Sequence, residues 1–223
     1  MFNTNLGLER AVLNGTKTMT RRFVSKKTYM KCLEQTHYNF HNTVSARVAF
    51  DFEKDLENPD FEKQFRNELL QHSPYKLGER IAIAQSYRSI GITFGDYQDP
   101  TFKKKHVAQW GNLRAMKGWD NKMYVRADLM PYQIEITDIK VQRLQEITAE
   151  ECLKEGVHPA QTGYYTVGNY AIGVGRGFSR TSIFKNPRGA FKVLINTLGN
   201  SETWEKNEYV YAYTFKLIFK KDE

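Results

Sequence analysis

The sequence predicts an α+β fold: a small mixed β-barrel with short flanking helices and insertions. Three observations carry this expectation. Alternating apolar stretches, LGERIAIA (77–84), EITDIKV (135–141) and YVYAYTFKLIF (209–219), read as strands. Short periodic segments with cap or stop signals, LGLERAVLN (6–14) and ITAEECLKEGV (147–157), read as helices. The strands are scattered between these short helices instead of alternating regularly with them, and the last one closes the chain, which suits a small barrel. At 223 residues the chain fits a single domain, 1–223, that can bury a core without metals or cross-links.

Each element has its own warrant. In LGLERAVLN, Leu6, Ala11, Val12 and Leu13 gather about one face, and Gly15 stops the helix. Residues 51–72 are locally acidic, with Phe61, Phe65, Leu69 and Leu70 at helical spacing. Gly78 and Glu79 make a turn, from which Ile81 and Ile83 open a strand. YQIEITDIKVQRL (132–144) reads as a strand pair alternating Ile134, Ile136, Ile139 and Val141 about Thr137-Asp138. Thr148 caps the next helix, with Glu151 three residues on and Gly156 as the stop, so Glu155 falls on its last turn. Residues 159–186 read as a loop with a hairpin. Pro187 at the first helical position starts an amphipathic helix through Leu198. Insertions are expected at about 25–75 and 88–130, the second holding Trp110 and Trp119.

The formal charge is +8, and its distribution matters more than its sum. Six basic residues and no acidic one lie between Lys17 and Lys31. Between Glu155 and Glu202 there is no carboxylate, while Arg176, Arg180, Lys185, Arg188 and Lys192 recur among tyrosines and phenylalanines. Basic residues interleaved with aromatics suit phosphate neutralisation and base stacking. The same pattern also fits core aromatics with solvated basic neighbours, so composition leaves both open.

Cys32 and Cys152 give no disulfide framework and no CxxC spacing, which points to a reducing compartment. Of the five histidines only His37 and His41 have metal-like spacing, and Tyr38, Asn39, Phe40 and Asn42 argue against a helix that would align them. No metal and no cofactor is expected. GVGRG (173–177) lacks the strand-to-helix context and the Lys-Ser/Thr of a phosphate loop. With no signal-peptide pattern and no apolar stretch near the roughly 18 residues of a membrane span, a cytoplasmic location is expected. Oligomeric state is left open.

GTKTMTRR (15–22) concentrates chemistry-bearing residues without a carboxylate to balance them. In the order short helix, GTKTMTRR, LGERIAIA, EITDIKV, ITAEECLKEGV and YAYTFKLI, the chain resembles the ASCH domain of the PUA-like β-barrel group. The resemblance covers both ends and the middle, and the longer ASCH proteins of phages and gut bacteria look similar over more of the chain. Gly15, Lys17 and Arg22 match the family's G-x-K-x-x-E-x-R motif, but Thr20 stands where the motif has glutamate. That departure is similar to the bacterial N4-acetylcytidine amidohydrolase branch, whose G-x-K-T-x-T-x-R pattern is met by Gly15, Lys17, Thr18, Thr20 and Arg22. Its third catalytic residue, a glutamate, corresponds by position from the helix cap to Glu155.

The resemblance implies two readings. In the first, the chain binds RNA, another nucleic acid or a modified nucleoside in a basic cleft built from Gly15, Thr18, Arg21, Arg22, Arg176 and Arg180, with stacking on Tyr87 or Tyr124. In the second, it is a hydrolase that deacetylates acetylated cytidine. There Thr20 is the nucleophile, Lys17 its base, which requires a lowered pKa, and Glu155 the proton shuttle. No membrane partner is expected in either.

Overall fold

The computed structural model describes Phe2 and residues 6–41, 51–90, 117–160, 163–167 and 183–219. Four strands form its main sheet: β1 (Met19–Phe23), β2 (Arg80–Ala82), β3 (Tyr132–Arg143) and β6 (Tyr209–Phe219). All neighbours are antiparallel, in the order β1-β6-β3-β2, so the strand nearest the C-terminus lies inside the sheet and β1 is an edge. A second, two-stranded sheet pairs β4 (Val157–Pro159) with β5 (Tyr165–Val167). The protein is therefore mixed α+β. Among the described residues the strands do not close into a barrel, because β1 and β2 flank the sheet without pairing with each other.

The segment read as a strand pair about Thr137-Asp138 is one continuous strand with a bulge. β3 pairs with β6 along its length, and the register skips Thr137: Ile136 faces Phe215 while Asp138 faces Thr214. One extra residue inverts the two-residue period. Ile134 and Ile136 stand at even positions, Ile139 and Val141 at odd ones, yet all four lie opposite Leu217, Phe215, Tyr213 and Tyr211 and share their face. The broken alternation in the sequence is thus the mark of a bulge, not of a turn.

Helices cover both faces. Over the tyrosine face lie α2 (Lys26–His41), α3 (Phe52–Glu57) and α4 (Pro59–Gln71), with a core of Cys32, Leu33, Phe61, Phe65, Leu69 and Tyr209. The Tyr211 hydroxyl donates to Leu69 O at 3.0 Å, and Ser73 Oγ lies 2.8 Å from the Tyr213 hydroxyl, so these buried hydroxyls are satisfied. α2 is not predicted by the sequence. It runs through Tyr38, Asn39 and Phe40 because burial of Cys32, Leu33, Thr36 and His37 and an edge contact of Phe40 with Phe61 outweigh weak local propensity.

On the opposite face Val210 joins a core of Leu8, Leu144, Cys152, Val157, Phe191, Leu194 and Trp204. It is built by α1 (Leu8–Leu13), α5 (Ala149–Lys154), α6 (Pro187–Leu198) and α7 (Thr203–Lys206). α1, α5 and α6 fall where the sequence places them, and α5 carries the expected capping box of Thr148 and Glu151. The phosphate-loop lookalike 173–177, Trp110, Arg176 and Arg180 lie outside the described residues. Among the described residues no helix is long and apolar enough to cross a membrane.

The bulge is testable. Deleting Thr137 restores strict alternation and turns Ile139 and Val141 off the aromatic face. The deletion is expected to lower unfolding free energy by roughly 3 kcal/mol or more, read from urea unfolding. Thr137→Ala keeps the extra residue and should change it by less than about 0.5 kcal/mol.

Candidate functional site

The GTKTMTRR segment is fixed at three points before it enters the sheet. Gly15 takes φ 76° where α1 ends, in the left-handed region that favours glycine. The Lys17 N–H donates to Ala11 O at 2.8 Å, and the Thr18 N–H to Lys154 O at 3.0 Å. Thr18 O accepts from the Phe215 N–H at 2.9 Å. The segment therefore ties α1, the end of α5 and the central strand β6 together. Gly156, at φ 101°, lets the turn after α5 close over Lys17: a Cβ there would stand 3.1 Å from Leu8 Cδ2 and 3.7 Å from Lys17 Cδ.

Strand alternation then sends the side chains of β1 to two sides. Met19, Arg21 and Phe23 lie opposite Thr214, Ala212 and Val210, on the α5–α6 face, and Thr20 and Arg22 lie opposite Tyr213 and Tyr211.

On the α5–α6 face stands a buried charge network. Lys17 Nζ donates to Glu155 Oε2 at 2.6 Å, Met19 O at 2.7 Å and Glu155 O at 2.8 Å. Arg21 Nη1 donates to Glu155 Oε1 at 2.9 Å, and Arg21 Nη2 to Glu151 Oε2 at 2.6 Å. Lys140 Nζ adds a 3.2 Å contact to Glu151 Oε1 from β3. Lys17 and Glu155 are only 3% and 4% exposed, so neither charge is tolerable without the other. Arg21 Nε is buried with no hydrogen-bond partner, and its guanidinium lies 5.7 Å from the Phe191 ring centroid.

Burial pushes the Lys17 ammonium below its ordinary 10.5; Glu155 opposes that shift, while Arg21 and Arg22 add to it. A neutral amine has only two N–H donors, so the three acceptors around Nζ describe an ammonium. Burial also pushes the Glu151 carboxyl up, but Arg21, Lys140 and the Thr148 N–H together hold it below its ordinary 4.5.

At the β1 edge a cavity of about 290 Å³ opens between this network and the apolar residues Phe2, Leu8, Phe191, Leu194 and Ile195. Lys17, Thr20, Arg21, Arg22 and Glu155 all line it. A smaller cavity of about 70 Å³ shares Phe2, Thr20 and Arg22 and continues towards Tyr75, Ile81 and Tyr213. Among the described residues no carboxylate pairs with Arg22, and the Thr20 side chain has no hydrogen-bond partner. Network cations Lys17, Arg21 and Lys140 outnumber carboxylates Glu151 and Glu155 by three to two, and Arg22 adds a further positive charge.

Residues singled out from the sequence are placed unequally. Lys17, Thr20, Arg21, Arg22 and Glu155 come together; Gly15 and Thr18 shape the backbone beside them. Tyr87 is a correction: it is fully buried, its ring packs where a Gly118 Cβ would stand at 2.6 Å, and its hydroxyl accepts the Arg126 N–H at 3.0 Å. Its face is not available for stacking. Tyr124 is 54% exposed, yet does not line the cavity. By sequence alone Glu151 reads only as a capping residue. It lies four residues before Glu155, on the same side of the helix, and that spacing is the signal that two carboxylates meet one arginine. Phe191 and Leu194, read as an amphipathic face, form the cavity's apolar wall.

No family model, no curated protein and no solved structure matches the chain.

Two measurements check this geometry. Glu155→Ala leaves Lys17 and Arg21 buried without their shared partner and should cost about 3–5 kcal/mol of unfolding free energy in urea, whereas Arg22→Ala should cost under about 0.5 kcal/mol. The Glu151 pKa is lower in the folded than in the unfolded chain, so its stabilisation is complete above the ordinary 4.5 and is lost as pH falls below that value. Urea midpoints followed down through that pH should fall less steeply for Glu151→Gln than for the wild type.

Proposed function

We propose that this chain is an ASCH-type, PUA-like protein that binds a nucleic acid, RNA foremost, or a modified nucleoside at the β1 edge. The observation that carries the reading is the convergence of Lys17, Thr20, Arg22 and Glu155 on one cavity with an apolar wall. A volume of about 290 Å³ lies near the lower end of the roughly 300–1,000 Å³ typical of small-molecule clefts. A planar base can pack against half-buried Phe2, while Arg22, which pairs with no carboxylate among the described residues, meets a phosphate or a carbonyl oxygen. The carboxylates behind Lys17 and Arg21 neutralise those two cations internally. Arg22 then carries most of the cavity's uncompensated positive charge.

A second reading, hydrolysis of the amide of acetylated cytidine, is favoured by the burial of Lys17 against Glu155 with Thr20 on the same cavity. In it a proton first passes from the Lys17 ammonium to the Glu155 carboxylate; the Thr20 hydroxyl then attacks the acetyl carbonyl and gives its proton to the neutral Lys17, Glu155 gives its proton to the exocyclic amine as the C–N bond breaks, and water hydrolyses the acyl-threonine, one of its protons returning to Thr20 Oγ as acetate leaves. Lys17 gives three hydrogen bonds elsewhere and none to Thr20, so it must first surrender a proton and a partner before it can act as the base. Binding is therefore the leading reading.

Titration of the purified protein with single-stranded RNA and DNA of one sequence, at several salt concentrations, tests it. Affinity should fall with salt, Arg22→Ala should weaken binding roughly 5- to 100-fold, and Thr20→Ala should leave it near the wild-type value. In parallel, acetate release from acetylcytidine is followed with wild type and Thr20→Ala, a variant that leaves the buried network whole. Turnover by the wild type that disappears in Thr20→Ala would replace the binding reading with the amidohydrolase one. Neither binding nor turnover would overturn both.

A further inference from the structure

Away from the β1 edge, α2 and α3 bring three metal-ligating side chains together. His37 and His41 stand four residues apart on α2, with ring centroids 4.6 Å apart. Asp55, on α3, turns one carboxylate oxygen to each: Oδ2 lies 2.5 Å from His37 Nδ1, and Oδ1 lies 2.9 Å from His41 Nε2. The three donor atoms lie within 4.8 Å of one another. We propose that His37, His41 and Asp55 form a zinc-class metal site that clamps α3 onto α2.

The donor set fits that chemistry. Two imidazoles with one carboxylate suit zinc and neighbouring transition metals, whereas magnesium and calcium prefer oxygen ligands throughout. An i,i+4 pair on one helix aligns both rings, and the carboxylate arrives from a different helix, so an ion would bridge two elements. Ligand distances of about 2.0–2.2 Å would put the ion between the carboxylate and the two rings, where direct hydrogen bonds now run, at the cost of a small outward shift of each donor. His37 is buried and Asp55 half-buried, but the His41 side chain is 38% exposed, which leaves an entry path and a side on which water can complete the coordination.

α3 has reason to need such a clamp. It is six residues long and none of its residues is fully buried. Phe52 and Leu56 reach the α2–α4 core only in part. Without an ion, Asp55 is held to α2 by the two histidine contacts.

The test uses the full chain, stripped of metal with a chelator and titrated calorimetrically with zinc chloride, with cobalt(II) as the spectroscopic probe. The proposal expects one equivalent bound, visible cobalt bands showing nitrogen ligation, and a rise in melting temperature on adding zinc. His41→Ala, at an exposed position, and Asp55→Asn should each weaken zinc binding by roughly tenfold or more and reduce the thermal shift. His72→Ala probes a second group, Cys32, Glu68 and His72, whose donor atoms also lie close together, and should leave binding unchanged. Absence of zinc binding by the wild type, or binding that survives both His41→Ala and Asp55→Asn, would overturn the proposal. Binding lost in His72→Ala but not in the other two would overturn it as well.

Discussion

The buried contact between Lys17 and Glu155 is the constraint on which this architecture turns. Each charge is almost wholly withdrawn from water, and each would be costly alone. Together they fix the entry to β1 against the end of α5, two segments 138 residues apart in the chain. Arg21 extends the contact to Glu151, and Lys140 carries it on to β3. A cluster of like charges in GTKTMTRR is tolerable because these carboxylates arrive from a distant helix to answer it.

The same constraint shapes the cavity. With Lys17 and Arg21 drawn towards the α5 carboxylates, alternation along β1 leaves Thr20 and Arg22 at the sheet edge without charged partners among the described residues. The apolar wall comes from α1 and α6, whose residues also build the core behind it. The cavity is thus lined by buried ion pairs from Lys17, Arg21 and Glu155 and also by Thr20 and Arg22 of the sheet edge.

Much of this was legible in the sequence, and the reasons are local. Thr148 and Glu151 announced a cap, Gly156 a stop and Pro187 a start, because each acts within one turn of chain. Lys17, Thr20, Arg22 and Glu155 were legible as a set only through a family resemblance, since no spacing rule joins residues on β1 to the end of α5. What stayed hidden depended on partners far along the chain. α2 is held by burial against α4, not by propensity; Thr137 is recognised as a bulge only once β6 lies beside it; and Tyr87, aromatic and near a turn, is closed off by Gly118. Glu151 was hidden for a different reason: its capping role, visible in the sequence, masked its second role as the partner of Arg21.

The most direct measurement is a double-mutant cycle on Lys17 and Glu155, with Lys17→Met, Glu155→Gln and the double variant compared with wild type by urea unfolding. If this pair organises the site, each single variant loses several kcal/mol, and the double variant recovers much of that loss, giving a coupling energy of about 2–3 kcal/mol. Losses that simply add, with coupling below about 0.5 kcal/mol, would contradict the account.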